Sequence, residues 1–149
     1  MEVKIVLAPE FITPVAEIRA QEITPTIEKV VAYIEQEQVE KVTILKGKEL
    51  VVLEKQAIVL VRTEAKKVVV YEQDGMWHET NQTLAELEQI LGEGFVRISK
   101  SAIVNLNAVA SVKAAFSGTL ELLLNTGIEE SISRSYRKQF KTKLEAWFV

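Results

Sequence analysis

Residues 94–105 read GFVRISKSAIVN, and this stretch is the most informative one about the fold of the chain. Two short apolar runs, at 95–98 and 102–104, enclose the polar residues Ser99, Lys100 and Ser101. Short apolar runs that are bounded by polar and glycine residues are typical of β-strands. We therefore predict two short strands here, separated by a polar segment.

Further short strands are predicted on both sides of this stretch. Most of them are rich in valine, isoleucine or leucine. They lie at 58–61, 68–71, 76–80, 108–112 and 120–124. Asp74 and Gly75 stand between two of them, and a tight hairpin with positive φ at both central residues favours this dipeptide. Glycine-containing turns are predicted at 117–118 and 125–127.

Two helices accompany these strands. Thr83 is followed three residues later by Glu86, which is the pattern of a capping box, and Gly92 ends the helix that begins there. At the end of the chain, apolar side chains recur at helical spacing and predict a helix that docks on the β core. These residues are Tyr136, Phe140, Leu144, Trp147 and Phe148.

The first third of the chain has a different pattern. Residues 2–8 alternate as a short strand, 26–34 have helical spacing, and 42–53 predict a hairpin around the turn at 46–48. We therefore predict a small α/β extension at residues 1–54, followed by a mainly β domain at residues 55–149.

Composition narrows the possible functions. The chain has 149 residues, one histidine, no cysteine and a formal net charge of −3. The lack of cysteine excludes a disulfide scaffold and a zinc site built on sulfur. A Ser/His/Asp catalytic triad would have to use His78 and Asp74, the only histidine and the only aspartate in the sequence, and both lie on one predicted hairpin. We expect no enzymatic activity, no cofactor and no metal, and the short apolar runs lead us to expect a cytoplasmic protein.

The net charge conceals local differences along the chain. The first 60 residues carry ten acids and seven bases, whereas residues 94–120 carry three cations and no acid. Residues 131–149 carry five cations and one acid, and Lys66 with Lys67 form a third, smaller basic point. The protein is therefore acidic on average but basic in three short segments.

The cations of the last helix stand at an unfavourable position for stability alone. Arg134, Arg137 and Lys138 lie in its first turns, where the helix dipole disfavours positive charge by roughly 0.3–1 kcal/mol each. Free backbone N–H groups, arginines and the hydroxyls of Ser133 and Ser135 together make an anion site. Nucleic acid is the natural polyanion for several such points.

Residues 94–105, followed by Ser131-Ile-Ser-Arg-Ser-Tyr-Arg-Lys138, resemble the LytTR family of bacterial DNA-binding domains. The shared features are a phenylalanine, an arginine, a polar segment with a serine, a hydrophobic pair and an asparagine, and then a serine-arginine element that opens the closing helix. The resemblance covers about residues 55–149. It implies a β-rich fold that binds duplex DNA through loops, which reach successive major grooves and the phosphates between them.

The resemblance also implies which residues face DNA, and these coincide with the three basic segments. They are Lys66 and Lys67 in the first loop, Arg97, Ser99, Lys100 and Ser101 in the second, and Arg134, Ser135, Arg137 and Lys138 in the third. Family members often have histidine where Ser99 stands and arginine where Ser135 stands, so we expect base readout to differ here. Asn105 fits the signature, but we expect it to hold a turn.

Many members of this family carry a receiver domain in front. Residues 1–54 are too few for a receiver and lack its acidic cluster, so the resemblance implies a stand-alone regulator, of the kind encoded beside a membrane protein in bacterial operons. The extension would serve either in dimerisation or in signal input. We expect a homodimer by analogy with regulators that bind paired half-sites.

The sequence therefore predicts a sequence-specific transcription regulator that binds double-stranded DNA. The alternative is a sensing or interaction module whose basic helix start binds a phosphorylated small molecule or an acidic partner. The two differ in geometry, because a small ligand needs one site, whereas DNA requires the dispersed cations to converge on one face.

Overall fold

The computed structural model describes residues 1–35 and 40–148. The chain divides into two compact units, Met1–Gln38 and Val39–Val149. Within the described residues, the first unit contains helix α1 (Pro25–Glu35). The strands of the second unit are β1 (Lys41–Lys46), β2 (Glu49–Glu54), β3 (Ile58–Glu64), β4 (Lys67–Glu72), β5 (Trp77–Thr80), β6 (Phe95–Ser99), β7 (Ala102–Asn105), β8 (Val109–Ala114), β9 (Leu120–Leu124) and β10 (Glu129–Ile132), and its helices are α2 (Leu84–Leu91) and α3 (Arg134–Trp147).

In the first unit the described residues form one helix, α1, and residues 1–24 that precede it are turns and irregular backbone. The hydroxyl of Thr24 accepts a hydrogen bond from the N–H of Ile27 at 3.2 Å, which satisfies one free donor at the start of α1. The strand predicted at residues 2–8 is wrong, because this segment has no strand partner among the described residues. Alternating side chains favour a strand only where a neighbouring strand satisfies the backbone.

The mainly β fold predicted for the second unit is confirmed. Five antiparallel strands form a sheet in the order β5-β4-β3-β7-β6, and three more form a sheet in the order β10-β9-β8. In the larger sheet Leu60 pairs with Val104, and the next pair is Val61 with Ile103. Successive side chains of a strand point to opposite faces, so these two pairs contribute to the two different cores that cover the sheet.

One core lies between the five-stranded sheet, the three-stranded sheet and α3. Phe140 of α3 is fully buried there beside Leu122 and Ile132, and Tyr136 and Leu144 are half-buried against it. The predicted docking of the last helix through its apolar stripe is therefore confirmed for its first three members. The stripe continues into the exposed residues Trp147 and Phe148.

The other core is covered by α2 and by the hairpin of β1 and β2. Leu87 of α2 and Ile44 of β1 are both 1% exposed in it. Thr83 caps α2, since its hydroxyl accepts from the N–H of Glu86 at 3.1 Å, which is one of the two hydrogen bonds of the predicted capping box. The hairpin thus packs with the second unit because of its apolar inner face, whereas the sequence had placed it in the extension at residues 1–54.

Two turns differ from the sequence prediction in conformation. At Asp74-Gly75 only the glycine has positive φ, and the side chain of Asp74 accepts from the N–H of Met76 at 2.9 Å. The turn with positive φ at both central residues is instead Ala65-Lys66, with φ of 46° and 68°. The carboxylate of Asp74 stabilises a turn in which its own backbone stays right-handed, so a second positive φ is not needed there.

None of the helices in the described ranges 1–35 and 40–148 has the length and apolar character of a membrane-spanning segment. The same ranges contain no group of three or more side chains suited to hold a metal ion.

Candidate nucleic-acid interface

The strand pairing brings two of the predicted loops to one end of the five-stranded sheet. β3 and β7 are antiparallel, and Arg62 near the end of β3 pairs with Ala102 at the start of β7. The turn that follows β3 and the turn that precedes β7 are therefore neighbours. A backbone hydrogen bond from the N–H of Thr63 to the carbonyl of Ser101, at 2.9 Å, joins the two segments directly.

The start of α3 lies at the same end. The N–H of Ser133, the residue that precedes α3, donates to the carbonyl of Ile98 at 3.0 Å. Ile98 is the penultimate residue of β6, so the helix begins beside the β6–β7 turn. All three predicted basic segments are therefore adjacent in space, although they are far apart in the sequence, at residues 66–67, 97–101 and 134–138.

Within residues 1–35 and 40–148, the first segment presents one cation without an ion pair and one paired cation. Lys66 is exposed at the tip of the β3–β4 turn in a left-handed conformation. Lys67 begins β4, and its ammonium forms an ion pair with Glu79 of β5 at 3.2 Å, with both side chains about half exposed. Lys66 is thus the more available charge of the two.

The second segment is shaped by Arg97. Its side chain is only 20% exposed, and its guanidinium forms an ion pair with Glu88 of α2 at 3.2 Å and donates to the carbonyl of Lys100 at 3.0 Å. The hydroxyl of Ser99 accepts from the N–H of Ser101 at 3.1 Å. Arg97 and Ser99 therefore hold the conformation of the turn, in which Lys100 and Ser101 are exposed.

Lys100 has the most accessible position in this turn. It forms no ion pair with any residue in the part of the chain that the structure describes. Its ammonium, on a flexible side chain at the end of the sheet, is a donor for an external anion.

In the third segment two arginines bind the neighbouring β8–β9 loop. The Nε of Arg134 donates to the carbonyl of Ser117 at 2.7 Å, and Nη1 of Arg137 donates to the carbonyl of Gly118 at 3.1 Å. A carbonyl is uncharged, so both guanidinium groups keep their positive charge. Ser135 and Lys138 are exposed on the first turns of the same helix, whose first turn contains no acid.

Arg62 is a further cation in this region that the sequence did not indicate. It forms ion pairs with Glu64 and Glu130, and its guanidinium lies over the ring of Tyr71 at 5.0 Å. Burial would lower the pKa of Arg62, but the hydrogen bonds that its guanidinium donates to Glu130, Glu64 and Tyr71 outweigh this effect and raise that pKa above its ordinary value. Hydrogen bonds from Tyr71 and Arg62 lower the pKa of the Glu64 carboxyl. Both groups are therefore charged at neutral pH, and the positive charge of Arg62 is compensated by the two glutamates.

Arg62 also lines an open polar cleft between the two sheets. The cleft has a volume of about 620 Å³ and is lined by Arg62, Ser99, Ser101, Thr119, Glu121, Glu129, Glu130, Ser131 and Ser133. Three of these residues are glutamates, and one arginine is their only cationic companion in the cleft. Like charges disfavour a phosphate there, so the cations that can meet an anion are those on the exposed tips.

The sequence and the fold both match known DNA-binding domains. Residues 48–145 match the family profile of the LytTr DNA-binding domain. The chain is 32% identical over 88 residues to the sensory transduction protein LytT of Enterococcus faecalis, over 58% of this chain and 36% of that protein. It is 33% identical over 66 residues to the LytT protein of Bacillus cereus, over 44% of this chain and 27% of that protein.

A solved LytTr DNA-binding domain from Bacillus cereus has the same fold. Its TM-score is 0.62 at 23% sequence identity, and the match covers 70% of this chain and 95% of that domain. The chain spans about a quarter to a third of the length of the curated LytT relatives that it matches. Since the family profile covers most of the chain and the fold agrees, this protein belongs to the LytTR family of DNA-binding domains.

Proposed function

We propose that the protein is a sequence-specific transcription regulator that binds duplex DNA with the end of its five-stranded sheet. The observation that carries this proposal is the adjacency of the β3–β4 turn, the β6–β7 turn and the start of α3, joined by the hydrogen bonds at Thr63 and Ser133. Three cationic segments on one end of a domain can follow the regular spacing of phosphates along a duplex.

The three segments have different roles in this proposal. Lys66 and Lys138 are exposed on flexible side chains and bind phosphates, while Ser101 and Ser135 donate hydrogen bonds beside them. Lys100 and Arg134 enter adjacent major grooves, where lysine and arginine pair with the purine acceptors of guanine. Lys67, Arg97, Ser99 and Arg137 support these positions through their internal contacts.

The arrangement favours DNA over a phosphorylated small molecule. The exposed cations belong to three separate turns, and the cleft between the sheets, the natural seat for a small ligand in this region, contains Glu121, Glu129 and Glu130. An extended anion can touch the cationic tips without entering this cleft. The remaining acidic surface repels DNA elsewhere and thereby lowers non-specific binding.

We further propose that the protein acts in the cytoplasm as a homodimer, because paired half-sites would double the small footprint of one domain. The first unit would provide either the dimer contact or the signal input, in functional connection with a membrane protein of the same operon. Its side chains favour a contact role, since Ile5, Leu7 and Ile12 are each at least 79% exposed.

The affinity for DNA should depend steeply on salt. If each protomer neutralises about five phosphates, the slope of log affinity against log salt should be about −4 to −5. The measurement is a fluorescence anisotropy titration of a duplex from the region upstream of the protein's own operon, at several salt concentrations. An unrelated duplex of equal length is the control. Equal affinity for both duplexes would remove the claim of sequence specificity, and a flat salt response would remove the phosphate contacts.

Lys66→Gly should make the protein more stable and a weaker DNA binder. Glycine adopts the left-handed conformation of this turn without strain, so we expect a gain of about 0.5–1 kcal/mol in the free energy of unfolding. Loss of one phosphate contact should reduce the salt slope by about 1. Urea unfolding and the anisotropy titration measure the two effects.

Lys66→Asn is the matched control, because asparagine also tolerates the left-handed conformation but carries no charge. It should share the reduced salt slope with a smaller gain in stability. An unchanged slope in both variants would place Lys66 away from the DNA backbone.

A further inference from the structure

Phe116 is the most exposed large hydrophobic residue in the described part of the chain. It stands at the tip of the β8–β9 loop with a relative exposure of 113%. A phenylalanine that projects fully into water gives nothing to the stability of this fold, because it buries no apolar area. The ring is therefore available for contact with a binding partner outside the folded monomer.

The loop that carries Phe116 is fixed against the third basic segment. Its backbone turns tightly, with a hydrogen bond from the N–H of Gly118 to the carbonyl of Ala115 at 3.3 Å. Arg134 and Arg137 hold the carbonyls of Ser117 and Gly118. A Cβ at Gly118 would lie 3.1 Å from Nε of Arg134, so the loop and the arginine are in close contact. The ring of Phe116 is thus presented beside the start of α3.

We propose that Phe116 is a fourth contact to duplex DNA, in which its ring packs against apolar DNA surface next to the phosphates bound by the start of α3. This inference rests on the proposed function. Phenylalanine is among the side chains that pack into the minor groove and wedge between base steps. No acid occurs between residues 94 and 120, so the loop itself carries no negative charge.

The surroundings of Phe116 favour DNA over a second copy of the chain. Its neighbours in the loop are Ser117 and Thr119, whose hydroxyls are hydrogen-bonded to each other at 2.9 Å, and the adjacent helix presents Arg134. Protein–protein interfaces have apolar centres from which charged residues are depleted. A single ring among hydroxyls and uncompensated guanidinium groups matches a nucleic-acid surface better.

Phe116→Ala should lower the affinity for DNA about tenfold without a change in the salt slope. The phenyl ring is uncharged, so its loss removes apolar contact but releases no counterion. The probe is a duplex that the wild-type protein enriches from a random-sequence pool, titrated by fluorescence anisotropy. Met76→Ala is the matched control: Met76 is 56% exposed and follows β4, at the end of the sheet opposite to Lys66. Equal affinities of Phe116→Ala and Met76→Ala would overturn the proposal.

The absence of cysteine permits a second, direct test. Phe116→Cys and Met76→Cys each place a single thiol in the chain, and its rate of alkylation by a maleimide reports accessibility. Bound DNA should slow alkylation at position 116 at least tenfold and leave position 76 unchanged. Equal rates with and without DNA at position 116 would contradict the contact. Protection that depends on protein concentration and needs no DNA would assign the ring to a protein interface and equally overturn the proposal.

These outcomes separate the inference from the function on which it rests. If wild-type protein binds the enriched duplex while position 116 stays unprotected, only the fourth contact is lost. If the wild-type protein enriches no duplex, the proposed function itself fails, and the inference fails with it.

Discussion

Replacing Lys100 and Arg134 together with alanine should weaken binding to the operator duplex roughly a thousandfold. Each residue is expected to contribute about 1–3 kcal/mol through contacts to base edges. The two contributions should be nearly additive because in the proposed complex the two side chains contact different base pairs, and they share no partner among the described residues. Lys100 is exposed at the β6–β7 turn, and Arg134 begins α3 beside it. The measurement is the anisotropy titration against operator and unrelated duplexes.

The single variants distinguish the kinds of contact. Lys100→Ala should relax the preference for the operator if its ammonium reads a base, whereas equal loss on all duplexes would mark it as a phosphate contact. Arg134→Lys keeps the positive charge but loses the planar guanidinium. Compared with Arg134→Ala, it should therefore bind unrelated duplex more tightly but show no gain in affinity for the operator.

The matched control for the double variant is Lys141→Ala with Lys143→Ala. Both lysines are exposed on the second half of α3, and their loss changes the net charge by the same amount. We expect an effect of less than about fivefold from long-range electrostatics alone. An equal loss of affinity in both double variants would show that net charge, and not the end of the sheet, governs binding.

Asn105→Ala should destabilise the protein by about 2–4 kcal/mol. The side chain of Asn105 is 1% exposed and connects two segments. Its Nδ2 donates to the carbonyl of Ile58 at 2.9 Å, and its Oδ1 accepts from the N–H of Asn107 at 2.9 Å. Alanine leaves the buried carbonyl of Ile58 without this donor and removes the acceptor of the part-buried N–H of Asn107. Urea unfolding followed by circular dichroism measures the change.

Asn107→Ala is the control for this prediction. The side chain of Asn107 bonds to Gln56 at 2.9 Å and to Nε1 of Trp147 at 2.7 Å, but the residue is exposed, so water can replace these partners. We expect a cost below about 1 kcal/mol. If Asn105→Ala lowers the free energy of unfolding no more than Asn107→Ala does, the side chain of Asn105 does not stabilise the protein through these hydrogen bonds. The folded Asn105→Ala protein should bind the operator with the same affinity as wild type. Asn105 lies at the end of β7 that is away from the β6–β7 turn.

The surface that we propose as the DNA interface combines two kinds of arginine. Arg62 and Arg97 form ion pairs with glutamates, so their charge is compensated inside the protein. Arg134 and Arg137 bond to uncharged carbonyls and remain electrostatically available. A charge that is held in place but not neutralised is pre-organised for an anion, which lowers the entropic cost of binding.

Local chemistry was sufficient for most of the elements. The helix cap at Thr83, the turn that Asn105 stabilises and the apolar stripe through Phe140 all depend on residues a few positions apart, and the structure confirms them. The strand expected at residues 2–8 was wrong because a strand depends on a partner that its own residues do not specify. β10 was missed because its sequence, Glu129-Glu130-Ser131-Ile132, is polar except for one buried residue.

By itself, the sequence determined the β-rich class of the domain, its three cationic segments and the resemblance to LytTR domains, since these follow from residue type and short-range spacing. Only the tertiary structure decided that the three segments meet at one end of the sheet, and which of their charges are compensated. Arg62 and its partner Glu130 are 68 positions apart, and Arg134 and Ser117 are 17 apart. Such contacts depend on strand register and sheet packing. The residues that form them are too far apart in the sequence for a local pattern to predict the contact.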